Sequence, residues 1–196
     1  MSGDHQELPA AARVRQLEDQ VIAAGLTTDA ELDEILAARY RTGSPANGAR
    51  MVARAWADPG FRDRLLADGN AAAAEAGSGA SGGGYGYRLK AVENTAQRHN
   101  VIVCTLCSCY PTSLLGPSPS WYKSFAYRAR TVREPRAVLA EFGLELPAGT
   151  EILVRDSSAE TRYLVVPARP ASSAGLDEDA LARLVTRNGM IGTAAF

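Results

Sequence analysis

Cys104, Cys107 and Cys109 lie within the six residues Cys104-Thr105-Leu106-Cys107-Ser108-Cys109 and are the only three cysteines of a 196-residue chain. An odd number packed this closely cannot close a loop large enough to stabilise a fold much, so the sulfurs are there for chemistry. Three soft donors on one turn point first to a metal. A structural zinc site takes four protein ligands, usually from two separated pairs. Only two histidines exist, and His99, five residues before Cys104, is the candidate for a fourth ligand. On residue types alone, zinc, an iron-sulfur cluster with a ligand from elsewhere and an unliganded reactive thiol cluster all remain open.

The backbone offers a further donor set. If the amide nitrogens of Ser108 and Cys109 deprotonate, the Cys109 thiolate and its own nitrogen close a five-membered ring on the metal. The two successive amide nitrogens close a second ring, and the Cys107 thiolate with the Ser108 nitrogen closes a six-membered third. Four donors then share a plane, Cys104 fills an axial position, and the opposite side stays open to water or substrate. Strong-field nitrogen and sulfur donors suit a low-spin trivalent cobalt or iron ion, whereas zinc gains nothing from ligand field. Three thiolates and two amidates put excess negative charge on a trivalent ion, which calls for cationic neighbours or for oxidised, less donating sulfurs.

The elements that must hold this turn can be read from periodicity. Val101-Ile102-Val103 belongs to a strand over 100–106, preceded by another over 87–93, so the cysteines begin where a buried strand ends. Before them, Val14, Leu17 and Val21, then Leu32, Ile35 and Leu36, recur at helical spacing, with Gly25 ending one helix and a Thr28/Glu31 capping box starting the next. Residues 42–48 read as a loop by their turn residues. Helices are expected over 49–56 and 61–76, with Asp58-Pro59 supplying an N-cap and first-turn proline. Residues 77–86 carry six glycines in ten and read as a flexible linker or lid. That loop lacks the Gly-Lys-Ser/Thr ending of a phosphate-binding loop, which argues against nucleotide binding. After the cysteines, the aromatic and basic stretch 120–130 leads through Glu134-Pro135 into a short helix ending at Gly143. Strands over 151–155 and 163–166 and a helix over 177–187 follow. The chain is thus α+β, with a helical arm over 1–48 and a metal-binding α+β domain over 49–196.

Composition narrows the function. With 46% hydrophobic residues the chain can bury a real core. Its 21 basic and 22 acidic residues give a net charge of -1, which offers no electrostatic footprint for nucleic acid or anionic lipid. The amino terminus has no basic start and apolar stretch of a secretory signal, and no apolar run approaches the ~20 residues of a membrane span; a cytoplasmic protein is expected.

Val103 through Tyr110 resembles the metal-binding claw of nitrile hydratase α subunits. Residues 121–124, 128–139, 156–160 and 185–192 are similar to the same family in the same order, so the resemblance runs from about Arg13 to the end, with the glycine-rich loop as an insertion. Thr105, where iron enzymes carry serine, resembles the cobalt type. The resemblance implies a layered α-β-β-α catalytic domain and a non-corrin Co(III) ion, with Fe(III) as the alternative, held by Cys104, Cys107, Cys109 and the amide nitrogens of Ser108 and Cys109. It further implies oxidation of Cys107 to a sulfinate and Cys109 to a sulfenate. In that family the metal acts as a Lewis acid toward a nitrile and the sulfenate oxygen serves as nucleophile or base, which makes Cys107 and Cys109 the catalytic residues. A β-type subunit that closes the pocket and supplies arginines is implied as partner, as is a cobalt-delivery activator protein.

The sequence departs from the family after the claw. Where common cobalt enzymes read Tyr-Pro-Trp-Pro, this chain has Tyr110-Pro111-Thr112-Ser113. Thr112 and Ser113 are therefore expected to line a substrate pocket opened by the loss of an indole, unless a partner side chain fills the gap. A bulky or heteroaromatic nitrile suits that pocket, as in the three-subunit nitrile hydratase type of toyocamycin biosynthesis. In residues 124–130, however, the chain is also similar to thiocyanate hydrolase, a sister family that shares the claw. A non-catalytic zinc or iron-sulfur module is the reading from a different class.

Overall fold

The computed structural model describes residues 10–77 and 86–195, and these fall into two compact units that meet between 41 and 42 in the chain. The glycine-rich stretch read as a linker or lid lies mostly outside the described residues. In the first unit, α1 (Ala10–Ala23) ends at Gly25, whose φ of 69° is the left-handed conformation glycine adopts most readily. In α2 (Asp29–Thr42) the capping box forms as expected. Glu31 N donates to Thr28 Oγ1 at 3.2 Å, and Thr28 N donates back to Glu31 Oε2 at 2.9 Å.

The expected loop over 42–48 is largely helix. α3 (Pro45–Ala57) begins at once, because Ser44 accepts from Ala46 N as N-cap and Pro45 takes the first turn. Gly48, read as a loop residue, sits inside that helix, at a position where a Cβ would come within 2.7 Å of Met190 Sδ. The expected 61–76 helix is two, α4 (Pro59–Ala67) and α5 (Gly69–Glu75), since Asp68 breaks the run and caps the second.

Four strands follow the same economy of short pieces: β1 (Arg88–Glu93), β2 (Arg98–Val103), β3 (Glu151–Asp156) and β4 (Thr161–Val166). β1 pairs with β4 and β2 with β3, both in parallel. The short turns 94–97 and 157–160 do not make hairpins; each hands the chain from one two-stranded sheet to the other. Helices α3, α4 and α5 cover the β1/β4 sheet, β4 lies against β2, and α8 (Phe125–Arg133) and α9 (Pro135–Glu141) cover the β2/β3 sheet. The order is α-β-β-α, and the class is α+β.

Between β2 and α8 come α6 (Thr112–Leu115) and α7 (Ser120–Lys123), so the expected helix-break-helix gains an extra break at Ser124, whose side chain caps α8. The closing helix over 177–187 is α10 (Glu178–Leu184), followed by a separate α11 (Arg187–Ile191) capped by Thr186. α11 ends at Gly192, with φ of 92° and a position at which a Cβ would stand 2.0 Å from the Asn100 carbonyl. That close approach docks Gly192 on the middle of β2.

Candidate metal centre

β2 delivers Cys104. Every residue from His99 to Val103 is buried, and Cys104 is fully buried at the strand's end. Ser157 N donates to Val103 O at 2.7 Å, which carries the pairing with β3 one step past the strands. The register places Asp156 opposite Val103, so its carboxylate faces the residue that starts the turn. Thr105 N donates to Asp156 Oδ1 at 3.0 Å and Thr105 Oγ1 to Asp156 Oδ2 at 2.6 Å. Cys107 N donates to Cys104 Sγ at 3.3 Å. From below, the fully buried Tyr122 donates its hydroxyl to Cys109 O at 2.8 Å, and its ring meets Tyr110 edge-on at 5.0 Å. The turn is fixed at its start by β3, in its middle by the first cysteine and at its end by α7.

The three sulfurs converge. Cys104 Sγ and Cys107 Sγ are 3.5 Å apart, Cys107 Sγ and Cys109 Sγ 3.2 Å, and all three lie within 4.8 Å of one another. Two sulfurs each about 2.3 Å from one ion stand about 3.3 Å apart at a right angle and about 3.8 Å apart at the tetrahedral angle. Both adjacent pairs, Cys104/Cys107 and Cys107/Cys109, are closer than the tetrahedral spacing. The backbone amides of Ser108 and Cys109 both act on the Cys107 thiol, which puts the two nitrogens that the chelate requires beside the cluster. Leu106, Cys107 and Ser108 are exposed while Cys104 is buried, so the cluster opens outward.

The proton chemistry suits a thiolate site. Hydrogen bonding from Cys109, then from Cys104 and the two amides, brings the Cys107 thiol down to about 7. Burial, then the hydrogen bond to Cys107, pushes Cys109 up to about 12, while the Arg162 charge pulls it back. One proton of the pair is thus held less tightly than an ordinary thiol proton and the other more tightly.

His99 does not join the cluster. It is buried, its Nε2 donates to Gly192 O at 2.7 Å and its Nδ1 accepts from Asn94 Nδ2 at 3.2 Å, so both ring nitrogens serve the fold. Thr112 and Ser113 are half-buried in the first turn of α6, immediately beyond the claw. Sequence reasoning missed Asp156, Tyr122 and Arg162. Asp156 and Tyr122 fell within stretches that resembled the family, but their roles depend on strand register and on packing beneath the claw. Arg162, on β4, carried no signal beyond its charge.

A family model described as nitrile hydratase, alpha chain, matches residues 8–194. The chain is 48% identical over 182 residues to the low-molecular weight cobalt-containing nitrile hydratase subunit alpha of Rhodococcus rhodochrous, a match covering 93% of this chain and 86% of that one. It is 45% identical over 158 residues to thiocyanate hydrolase subunit gamma of Thiobacillus thioparus, covering 76% and 65%. Among solved structures, a double mutant of the Fe-type nitrile hydratase from Comamonas testosteroni Ni1 is similar with a TM-score of 0.87 at 40% identity, covering 96% of this chain and 92% of that one.

Proposed function

The chain belongs to the nitrile hydratase α-chain family, and from that premise we propose that it is the metal-carrying subunit of a cobalt nitrile hydratase, adding water across a carbon-nitrogen triple bond to give the amide. The observation that carries this reading is the convergence of three sulfurs within 4.8 Å of one another on one turn, with the amides of Ser108 and Cys109 beside the middle one. Cys104, Cys107 and Cys109, with the amide nitrogens of Ser108 and Cys109, would hold the ion. Cobalt is supported over iron by the name of the Rhodococcus rhodochrous relative and by Thr105. When bound, the ion supplies Lewis acidity toward the nitrile.

The chain's own residues then have distinct tasks. Cys104 anchors the set from the buried side. Asp156 and Tyr122 keep the turn from relaxing when metal is absent. Cys107 and Cys109 stand at the open side, where oxidation to sulfinate and sulfenate would lower their donation and give Cys109 an oxygen able to act as nucleophile or base. A β-type subunit closes that side, and the exposed Leu106 and Phe125 are surfaces for it. A cobalt-delivery activator would load the site. No helix among the described residues is long and apolar enough to cross a membrane, and we place the assembly in the cytoplasm, where thiols stay reduced until metal arrives.

Identity of 45% to a thiocyanate hydrolase subunit favours a second reading, the metal subunit of an enzyme acting on thiocyanate. Co-expression with the β-type partner and cobalt, followed by assay of amide from nitriles and ammonia from thiocyanate, separates the two. Amide without ammonia supports the hydratase; ammonia from thiocyanate overturns it. Zinc in place of cobalt, with unoxidised sulfurs by mass spectrometry, would reduce the chain to a structural module.

A further inference from the structure

A cavity of about 750 Å³ opens beside β1, with the junction of α4 and α5 as one wall and Arg88, Lys90, Arg155 and Tyr163 among the strand residues of the other. Its volume is that of a small-molecule site, and no residue of the claw lines it. The helical wall is clamped to the strand. Asn70 Nδ2 donates to Tyr87 O at 3.0 Å, Asn70 Oδ1 accepts from Leu89 N at 2.7 Å, and a Cβ on Gly69 would stand 2.6 Å from Leu89 O. Arg88 and Lys90 stand two apart on β1 and so share a face, and the register sets Tyr163 of β4 beside Lys90. Arg155 reaches the cavity from β3, in the other sheet. Its Nε donates to Oδ1 of the fully buried Asn100 at 2.8 Å, and Asn100 is itself held by Glu93 O at 2.8 Å and Asn94 Oδ1 at 3.0 Å, so the guanidinium is oriented from the core.

The acids around this cavity are already engaged. Both carboxylate oxygens of Glu93 accept from Arg62, each at 2.6 Å, and Asp156 grips Thr105. Asp68, the one acid in the lining, caps α5 by accepting from Asn70 N and Ala71 N, each at 3.0 Å. Among the described residues none of Arg88, Lys90 and Arg155 has a carboxylate partner, so three cations line one space with their charge uncompensated. Such a lining attracts an anion.

We propose that this cavity binds a phosphorylated small molecule, with the phosphate among Arg88, Lys90 and Arg155 and the organic part along Leu66 and Val92. A guanidinium fork grips two oxygens at once, while an ammonium acts as a point charge. Three separate cations therefore suit a group with three terminal oxygens and about two charges better than a carboxylate with two oxygens and one charge. A bare phosphate would leave most of the volume unfilled, and Leu66 and Val92 give apolar lining to whatever carries it. Asp68 on the helical wall repels the phosphate and so keeps it on the strand side. The site uses neither the metal nor the cysteines and stands whether or not the chain hydrates nitriles.

Titration calorimetry of the full chain with inorganic phosphate, glycerol 1-phosphate and succinate tests this. Glycerol 1-phosphate is expected to saturate one site per chain and to bind more tightly than succinate by about tenfold, the worth of one further charge-assisted hydrogen bond. Inorganic phosphate is expected to compete for the same site. Lys90→Gln is expected to weaken glycerol 1-phosphate by about tenfold. Arg155→Lys keeps the charge but loses the fork and the bond to Asn100, and is expected to weaken it by a similar factor. Lys90 is exposed and bonds nothing in the fold, so its variant reads binding even where the Arg155 variant is unstable. Arg133→Gln removes a positive charge from exposed α8, outside the cavity, and is expected to leave binding within about twofold of wild type, since distant exposed charges are screened. Absence of saturable binding by either phosphate overturns the site. Succinate bound as tightly as glycerol 1-phosphate overturns its preference for phosphate. Equal losses in Lys90→Gln and Arg133→Gln overturn it as well, by showing only a general attraction of anions to basic surface.

Discussion

The Asp156 carboxylate grips Thr105 with both oxygens, one on the backbone N–H at 3.0 Å and one on the side-chain hydroxyl at 2.6 Å. Parallel pairing of β2 with β3 makes this possible, because it sets Asp156 opposite Val103, two residues before Thr105. Charge-assisted bonds of this kind orient a loop that must present three sulfurs and two amides at once. Asp156→Asn keeps one acceptor and loses the other. Cobalt retention against a competing chelator is expected to fall by about tenfold to a hundredfold, the usual cost of losing a group that orients metal ligands. Far-UV circular dichroism of the metal-free variant is expected to match wild type. Unchanged cobalt retention would mean the turn is held without β3.

Gly192 is expected to be the least replaceable glycine in the second unit. Its φ is 92°, and an added Cβ would meet the Asn100 carbonyl at 2.0 Å, backbone against backbone in a buried strand. Gly192→Ala is expected to cost about 3 kcal/mol or more. Gly143 also has positive φ, 79°, but nothing lies within 4 Å of its added Cβ, and Gly143→Ala is expected to cost only about 1 kcal/mol. Denaturant unfolding of the two variants side by side checks this; equal losses would show that the clash at Gly192 relaxes.

Local chemistry was legible in the sequence where neighbours in the chain supply it. The claw is one turn, Thr28 and Glu31 cap their own helix, and Val101-Ile102-Val103 announces the strand that carries Cys104. What could not be read depends on residues far apart. Thr105 and Asp156 are separated by 51 positions, and His99 looked like a possible ligand because its real partner, Gly192, lies 93 positions away. The loop expected over 42–48 failed for a related reason. Ser44 and Pro45 are turn residues and also helix starters, and the closeness of Met190 accounts for a glycine at position 48 without a turn. Asp68 and Thr186 split two expected helices by offering their side chains as caps in mid-run.

His99 links stability to pH. Burial lowers its pKa below the ordinary 6.5, only partly offset by the bond to Gly192 O, and its other nitrogen ends on the uncharged Asn94 amide. The folded state therefore binds this proton less readily than the unfolded chain does. Stability from the neutral ring is fully present above pH 6.5 and declines as pH falls below it toward the lowered folded value. His99→Gln keeps a donor and an acceptor but cannot take up the proton. The melting temperature of the variant is expected to fall less steeply than that of wild type between about pH 6.5 and pH 5. Parallel acid limbs would show that His99 is not the group responsible.

Cys104 and Cys107 separate fold from chemistry, because one is buried and the other exposed. Cys107→Ala removes a donor from the open side and disturbs no packing, so the metal-free variant is expected to melt within a few degrees of wild type. Its turnover is expected to vanish, since no neighbouring side chain can restore the lost thiolate. Cys104→Ala also removes a donor, but it trims a fully buried side chain at the end of β2. That variant is expected to lose about 1 kcal/mol or more of stability in addition to its metal. Calorimetry of the metal-free proteins, with cobalt analysis of the loaded ones, distinguishes the two losses. Normal turnover in Cys107→Ala would reject the claw as the catalytic centre, whereas equal stability losses in the two variants would mean that the exposed sulfur also belongs to the core.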